Sequence, residues 1–164
     1  MNLTEMGKAA AAAKYEVQKM SASAKNAALL AVADALTGNC GRILEANGRD
    51  VSRAQENGMH PGMVDRLRLT EARVEAMAEG LRQIAGLADP LGEVLDRFTR
   101  PNGLEIEKRR VPLGVIGIIY ESRPNVTADA FGLCFKAGNA CILKGGKDAI
   151  DSNTAIAESI RASL

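Results

Sequence analysis

The 164-residue sequence contains no tryptophan and only five aromatic residues. Nucleic-acid bases would therefore find few aromatic rings on which to stack. The formal net charge of +1 also provides no overall basic field that would attract nucleic acid or an anionic membrane. No stretch approaches the roughly 20 apolar residues of a membrane span, and residues 1–13 lack a signal-peptide core. We expect neither nucleic acid nor a membrane as a partner, and we expect a cytoplasmic location.

Cysteine and histidine are also scarce. Cys40, Cys134 and Cys141 are widely spaced and odd in number, so they indicate neither a disulfide framework nor a metal site. Cys134 falls in an apolar helical segment and Cys141 at the start of a buried strand, which favours packing over nucleophilic roles. His60 is the only histidine, and we expect it to be a loop residue without a catalytic partner.

The overall composition, with 46% apolar and 25% charged residues, indicates a globular chain. The first 90 residues carry helical periodicity and cap signals. These predict four helices, namely 2–19, a segment capped by Ser21, 38–57, and a segment that Thr70 caps and Asp89-Pro90 ends. Residues 57–62 read as a loop because Asn-Gly and His-Pro-Gly are turn signals.

A change of pattern follows at residue 95. Residues 95–100 and 104–111 predict two strands, and Asn102-Gly103 between them is a strong hairpin signal. Apolar and acidic residues alternate over 104–107. We therefore expect one face of the hairpin to be solvated.

Residues 112–147 predict a strand, a helix and a second parallel strand. The run 115–120 is rich in β-branched residues without alternation, which predicts a strand covered on both faces. Ligands of parallel sheets bind beyond the carboxyl ends of the strands. The loops 121–125 and 144–147 are therefore the candidate site, although neither contains a glycine-rich nucleotide-binding fingerprint.

Two residues of these loops allow more than one interpretation. Asn125 is either the N-cap of the following helix or an amide donor to a developing oxyanion. Lys144 is either a polar strand end or a cation for a ribose or phosphate. In the second case Gly145 and Gly146 would let a ligand approach the backbone.

Two segments carry a resemblance to a known family. Residues 111–146, VPLGVIGIIYESRPNVTADAFGLCFKAGNACILKGG, resemble the gamma-glutamyl phosphate reductases, which belong to the aldehyde dehydrogenase superfamily. Residues 65–103 resemble them as well, and the N-terminal helices do so more loosely. The YESRPN and ILKGG motifs are specific to these reductases within the superfamily.

The resemblance implies an α/β fold, with N-terminal helices, a β-hairpin and the start of a Rossmann-like parallel sheet of the aldehyde dehydrogenase type. It implies a division into residues 1–90 (helices of the cofactor domain), 91–111 (hairpin) and 112–164 (first βαβα of the NADP-binding domain), with the catalytic domain absent. The chain is thus expected to be the N-terminal portion of an enzyme, inactive alone.

The implied reaction is the NADPH-dependent reduction of L-glutamyl 5-phosphate to glutamate 5-semialdehyde, with phosphate release, in proline biosynthesis. A cysteine thiolate outside this chain would form a thioester that hydride then reduces. By resemblance Asn125 is the oxyanion amide and Lys144 contacts the adenosine ribose. Lys147 stands where NAD-preferring relatives tend to carry glutamate, which favours NADP(H).

Arg123 is a candidate contact for a substrate carboxylate or phosphate, because guanidinium pairs bidentately with both, and a structural salt bridge is the alternative. We expect a small-molecule substrate and a homo-oligomer that assembles through the 95–111 hairpin. Two other functions stay open. The chain could be a non-catalytic nucleotide-binding or assembly fragment, or it could belong to another acyl-phosphate or acyl-CoA reductase of the superfamily.

Overall fold

The computed structural model describes residues 2–164, which form seven α-helices and four β-strands. The helices are α1 (Leu3–Lys19), α2 (Ala22–Gly38), α3 (Cys40–Glu56), α4 (Pro61–Leu67), α5 (Glu71–Gly86), α6 (Val126–Lys136) and α7 (Ile150–Ala162). The strands are β1 (Val94–Thr99), β2 (Glu105–Arg109), β3 (Val115–Ile119) and β4 (Ala140–Lys144). A 3₁₀ turn at Lys147–Ala149 joins β4 to α7.

Short polar side chains cap α1, α2 and α5, and the caps of α2 and α5 are the two that the sequence predicts. Asn2 and Glu5 form a reciprocal capping box at α1, with both hydrogen bonds at 2.9 Å. The Ser21 hydroxyl accepts from the Ala24 N–H at the start of α2, and the Thr70 hydroxyl accepts from the Arg73 N–H at the start of α5. All four predicted helices are confirmed.

Helix α4 corrects the prediction of a loop around His60. The His60 ring nitrogen Nδ1 accepts a hydrogen bond from the Gly62 N–H at 3.2 Å, and Pro61 is the first helical residue. Proline favours this position because its fixed φ suits the helix and its missing N–H would have no partner there. His60 itself is exposed, as expected.

The main core lies among α2, α5, α6 and α7, with α3 at its edge. Its largest fully buried apolar side chains are Leu29, Leu36, Ile43, Leu81 and Ile156. Gly132 of α6 allows close packing, because a Cβ there would lie 2.5 Å from the Leu81 side chain of α5. A smaller cluster of Val51, Ala54, Val64, Leu67 and Ala149 holds α4 and the 3₁₀ turn against α3.

Two buried lysines tie α2 to the C-terminal end of α6. The Lys25 ammonium lies 2.6 Å from the Asp89 carboxylate and donates to the Lys136 carbonyl at 3.0 Å. The Lys136 ammonium donates to the Ala85 carbonyl and to Asn26. Burial disfavours ionised Asp89, but hydrogen bonds from Lys25 and from a backbone N–H outweigh that effect and hold its pKa below the ordinary 3.8.

Asp50 of α3 provides the cap that α7 lacks. No side chain next to α7 in sequence caps its N-terminus. The buried Asp50 carboxylate instead accepts from the Asp151 N–H at 3.3 Å and from the Ser152 N–H and hydroxyl at 2.8 and 2.6 Å. A carboxylate at this end also complements the helix dipole.

The predicted hairpin is confirmed, but its exposure differs from the prediction. The Gly103 N–H donates to the Arg100 carbonyl, and Gly103 has a φ of +84°, which favours glycine. Every residue of β1 is exposed and none of β2 is buried. Both faces of the hairpin, rather than one, are therefore open in residues 2–164.

Strands β3 and β4 pair in parallel with α6 between them, as predicted. The expectation that β3 is covered on both faces is wrong for this chain. Val115 and Ile119 are exposed, while Ile116 and Ile118 are partly buried. Ile116 and Ile118 pair with Cys141 and Leu143, which pack against the main core, so this face of β3 is the covered one in residues 2–164.

Within residues 2–164 no single helix is long and apolar enough to cross a membrane. Helices α2 and α3 meet that test only as a pair, by length and composition, and they are bent by 65° relative to each other.

Candidate functional site

The two predicted loops meet at the carboxyl ends of β3 and β4. The Tyr120 N–H donates to the Lys144 carbonyl at 3.1 Å, which extends the pairing by one residue. A Cβ built on Gly146 would lie 3.4 Å from the Glu121 backbone, so the loops are in contact. The Ser122 hydroxyl donates to the Asp148 carboxylate at 3.3 Å. The structure therefore brings these segments together, as parallel pairing requires.

Three hydrogen-bonded polar side chains lie next to this contact. The Tyr120 hydroxyl lies 2.7 Å from the Thr127 hydroxyl, which donates to the Asn153 side-chain oxygen at 3.0 Å. The Asn153 amide nitrogen is the one buried side-chain N or O atom of residues 2–164 without a hydrogen-bond partner. A Cβ on Gly145 would lie 2.2 Å from this nitrogen. A side chain at position 145 would thus have to displace the buried Asn153 amide, a packing reason for glycine that the sequence did not reveal.

Asn125 lies at the N-terminal end of α6 but does not cap it with its side chain. Its φ and ψ of −58° and −30° are already helical, and its backbone carbonyl accepts the first hydrogen bonds of the helix. The side-chain amide instead donates to the Asp129 carboxylate at 3.1 Å. Asn125 thus occupies the N-cap position, but its side chain does not make the capping hydrogen bond. Because an amide carries two N–H groups, one remains for another acceptor.

A cleft of about 400 Å³ opens beside Asn125. Its charged lining comes from the loop before α6, from α6 itself, and from residues 65–73, which span the end of α4 and the first turn of α5 and are called the α4–α5 segment here. The charged residues are Asp65, Arg66, Arg68, Arg73, Arg123 and Asp129. Arg66, Arg68 and Arg73 were not predicted as site residues, because only the fold brings the α4–α5 segment next to residues 121–125.

The four arginines of the cleft differ in their partners. The Arg73 guanidinium donates to the Asp65 and Arg68 carbonyls, both at 2.5 Å, and lies 3.4 Å from the Asp65 carboxylate. Arg66, Arg68 and Arg123 are exposed and form no ion pair with any of residues 2–164. For Arg123, the alternative of a structural salt bridge is therefore not realised.

Asp129 faces the cleft from α6, one turn after Asn125. Burial raises the pKa of its carboxyl group, and the hydrogen bond from Asn125 opposes this effect. Its Oδ1 would lie 3.8 Å from a Cβ on Gly80 of α5, so the carboxylate lies between the two helices. A partly buried carboxylate with a single neutral partner can accept a further charged donor.

Lys144 and Lys147 lie at the other loop and do not line this cleft. Lys144 is the last residue of β4, and Lys147 begins the 3₁₀ turn. Both are exposed, and neither forms an ion pair with another residue of the described chain. The predicted residues thus form two groups, with Arg123 and Asn125 at the cleft and Lys144 and Lys147 at the other loop.

The cysteines do not resemble activated nucleophiles. Burial, together with the carboxylates of Glu71 and Glu75, raises the pKa of Cys40. A hydrogen bond with Cys134 and burial raise the pKa of Cys141. In Cys134 the hydrogen bond with Cys141 outweighs burial and lowers the pKa of the thiol to about 7, but this side chain is buried in α6. The thiolate is thus disfavoured at Cys40 and Cys141, and burial limits access to Cys134, which agrees with the packing roles expected from the sequence.

Comparison with known proteins gives one family over nearly the whole chain. A sequence profile described as the aldehyde dehydrogenase family matches residues 2–163. A protein named gamma-glutamyl phosphate reductase from Lachnospira eligens is 55% identical over 163 residues. The predicted resemblance to these reductases is confirmed.

Two crystal structures of gamma-glutamyl phosphate reductases superimpose closely on the chain. The Thermotoga maritima structure has a TM-score of 0.98 at 43% identity over 100% of this chain, and the Saccharomyces cerevisiae structure has 0.93 at 33% identity over 99%. The α/β fold class is therefore confirmed. The chain spans about two fifths of these relatives, covering 39% of the L. eligens protein and 40% and 42% of the two structures.

Proposed function

The chain belongs to the aldehyde dehydrogenase family, and from that premise we propose that it is part of an NADPH-dependent reductase. The enzyme converts L-glutamyl 5-phosphate to glutamate 5-semialdehyde and releases phosphate, a step of proline biosynthesis. The observation that carries this proposal is the 55% identity over 163 residues to a protein named gamma-glutamyl phosphate reductase. A cytoplasmic location stays a prediction.

The lysine pair suits a nicotinamide dinucleotide phosphate in charge and position. Lys144 and Lys147 are exposed at the carboxyl end of β4, where parallel sheets bind ligands. Lys144 would contact the adenosine ribose, and Lys147 would attract a 2′-phosphate rather than repel it. Gly146 keeps the backbone between the lysines close to the neighbouring loop. When bound, this cofactor supplies the hydride of the reaction.

Asn125 would stabilise the oxyanion that develops on the reacting carbonyl. Its amide nitrogen is fixed by Asp129 at 3.1 Å, which leaves the second N–H to donate to oxygen. Preorganised donors of this kind contribute to catalysis because they are aimed at charge that appears only in the transition state. The attacking thiolate would come from outside this chain. Arg123, which lines the cleft, would contact a carboxylate or phosphate of the substrate.

A chimera tests the proposed reaction. The segment of the T. maritima protein that superimposes on this chain is replaced by the chain, and NADP⁺ reduction is measured with glutamate 5-semialdehyde and phosphate. We expect turnover, and a loss of roughly 10²–10³-fold for Asn125→Ala, as for other oxyanion donors. Asn57→Ala, at the exposed end of α3, is the matched control. A folded chimera that reduces only acyl-CoA substrates would favour another reductase of the family.

Cofactor choice is tested on the chain itself. NADPH and NADH are titrated against the purified 164-residue protein and against Lys147→Glu. We expect the protein to prefer NADPH and the variant to lose that preference, because a carboxylate would repel the 2′-phosphate. The chain alone should show no reductase activity. Equal affinity for the two cofactors in the original protein would contradict the NADP(H) assignment.

We also propose that residues 91–111 contribute to a homo-oligomer. Leu95 and Phe98 of β1 are exposed large apolar side chains on a hairpin that is open on both faces. Sedimentation of the protein and of Phe98→Glu compares their masses, and the substitution should shift the protein toward monomer. An oligomer that forms without any affinity for NADPH would instead favour a non-catalytic assembly fragment.

A further inference from the structure

The cleft beside Asn125 combines cationic and anionic groups in a way that an anion alone would not require. Four arginines and two aspartates line it, so positive charges exceed negative charges by two. One of the aspartates, Asp65, already lies beside Arg73. Asp129 is different, because its hydrogen-bond partner is the neutral amide of Asn125. The cleft therefore presents free guanidinium groups together with one carboxylate that has no cation.

We propose that this cleft binds the α-amino-acid end of the substrate, with the carboxylate at Arg66, Arg68 and Arg123 and the ammonium at Asp129. The inference rests on the proposed function, and it assigns the residues that would select the α-amino-acid end of that substrate. An α-amino acid carries one anion and one cation on the same carbon. The cleft supplies a complementary partner for each of them.

The proposed oxyanion role of Asn125 is favoured when an ammonium group is bound to the neighbouring Asp129. The Asp129 carboxylate accepts from the same amide nitrogen that is expected to stabilise an oxyanion. A negative charge at this distance disfavours further negative charge on the substrate oxygen. An ammonium on Asp129 removes that conflict. It also compensates the burial that raises the pKa of this carboxyl group.

The spacing of the two side chains fits the length of a glutamyl group. The Asn125 Nδ2 and Asp129 Oδ2 atoms are 3.1 Å apart, and a ligand atom hydrogen-bonded to either side chain would lie about 3 Å farther out. Four bonds of about 1.5 Å separate the reacting side-chain carbonyl carbon of a glutamyl group from its α-nitrogen, an extended span of about 5 Å. The carbonyl can therefore lie at Asn125 while the ammonium lies at Asp129.

The arginines are supplied by a segment that the fold holds in place. The Arg73 guanidinium donates to two backbone carbonyls of the α4–α5 segment. The buried Asn47 side chain also accepts from the Leu69 N–H at 2.7 Å and donates to the Leu67 carbonyl at 2.9 Å. Arg66 and Arg68 belong to this anchored segment and line the cleft. A phosphate group would also suit guanidinium groups, but a phosphate dianion would be repelled by Asp129.

A titration of the 164-residue protein tests the inference without cofactor or turnover. L-Glutamate is the probe, and glutarate is the matched ligand that lacks the ammonium. Binding is followed by NMR through the arginine Nε–Hε signals. We expect L-glutamate to shift the signals of Arg66, Arg68 and Arg123 and to bind roughly tenfold more tightly than glutarate. Asp129→Asn should abolish that preference, and Arg123→Gln should weaken both ligands.

Each outcome decides the proposal. Arg49→Gln, an exposed arginine outside the cleft, is the control and should leave both ligands unchanged. Equal binding of glutarate and L-glutamate, or an undiminished preference in Asp129→Asn, would overturn the assignment of Asp129. Absence of L-glutamate binding, or a response to inorganic phosphate alone, would overturn the subsite. Because no hydride transfer is involved, an inactive chimera with an intact glutamate preference would refute only the proposed reaction.

Discussion

Replacing Asp89 by asparagine isolates the contribution of the buried ion pair with Lys25. The Lys25 side chain has no exposed surface, whereas that of Asp89 is 18% exposed. In Asp89→Asn the ammonium keeps its hydrogen bond to the Lys136 carbonyl but loses its counter-charge. A stranded charge of this kind destabilises a folded protein by about 3–5 kcal/mol. Against a typical stability of about 5–15 kcal/mol, this would be a large loss.

Removing the other partner should be less damaging. In Lys25→Met the Asp89 carboxylate still reaches solvent and accepts from the Leu91 N–H at 3.0 Å. We expect a loss of about 1.5–3 kcal/mol, the range for a hydrogen bond to a charged group. The double variant should be more stable than Asp89→Asn, because it no longer buries an unpaired ammonium.

Urea unfolding followed by circular dichroism measures all four proteins of this cycle. Glu45→Gln, which breaks the exposed pair with Arg49, is the control and should change stability by no more than about 0.5 kcal/mol. Additive effects of Lys25→Met and Asp89→Asn would refute the reasoning. So would an Asp89→Asn variant as stable as the unmodified protein.

The same pair predicts the direction of a pH effect. The pKa of Asp89 in the folded protein lies below its ordinary value of 3.8. The stabilisation is therefore complete above pH 3.8 and is lost as the pH falls through the folded-state pKa. Asp89→Asn should lose this part of the acid dependence. An unchanged acid-unfolding profile in the variant would show that Asp89 does not contribute to it.

Three further substitutions, the first with a control substitution beside it, test particular contacts. Gly145→Ala should destabilise the protein by about 1–3 kcal/mol and lower the thermal midpoint, because its Cβ would lie 2.2 Å from Asn153. Gly146→Ala is the control and should be tolerated, because the atom nearest to its Cβ would be 3.4 Å away. Asp50→Ala should cost about 1–3 kcal/mol and speed amide exchange in the first turn of α7; unchanged exchange would contradict its capping role. Gly132→Ala should destabilise the α5–α6 contact by about 1–3 kcal/mol in urea unfolding.

The features that the sequence predicts well are local. Ser21 and Thr70 cap the helices that follow them, and Asn102-Gly103 forms the turn between two short strands. In these cases the residues that determine the geometry lie within a few positions of one another. Helix α4 was the one helix that the sequence analysis missed, although its signal is also local. His60 and Pro61 were interpreted only as turn residues, although proline is also a common first residue of a helix.

Burial of the parallel strands could not be predicted in the same way. The β-branched run at 115–119 indicates a strand, but it does not say which other segments cover it. Val115 and Ile119 remain exposed in the described chain, against the prediction. Composition reports the preference of a side chain for burial, whereas coverage depends on partners that the local sequence does not contain.

In the candidate site, too, some residues could be predicted from the sequence and others could not. Position after two parallel strands predicts that residues 121–125 and 144–147 are neighbours, and the structure brings them together. Arg66 and Arg68 could not be found in this way, because they are more than fifty positions from Asn125 in sequence and reach the cleft only through the packing of α5 against α6. The catalytic and cofactor roles of the loop residues remain predictions.

The capping of α7 by Asp50 bears on the order in which the chain can fold. The carboxylate and the backbone N–H groups that it accepts from are 101 and 102 positions apart. A contact this distant in sequence forms only after a long loop has closed, which slows its formation relative to local contacts. We therefore expect α7 to be completed late, after α3 has reached its place. The position of Lys147, three residues before α7 begins, would be set at that same late stage.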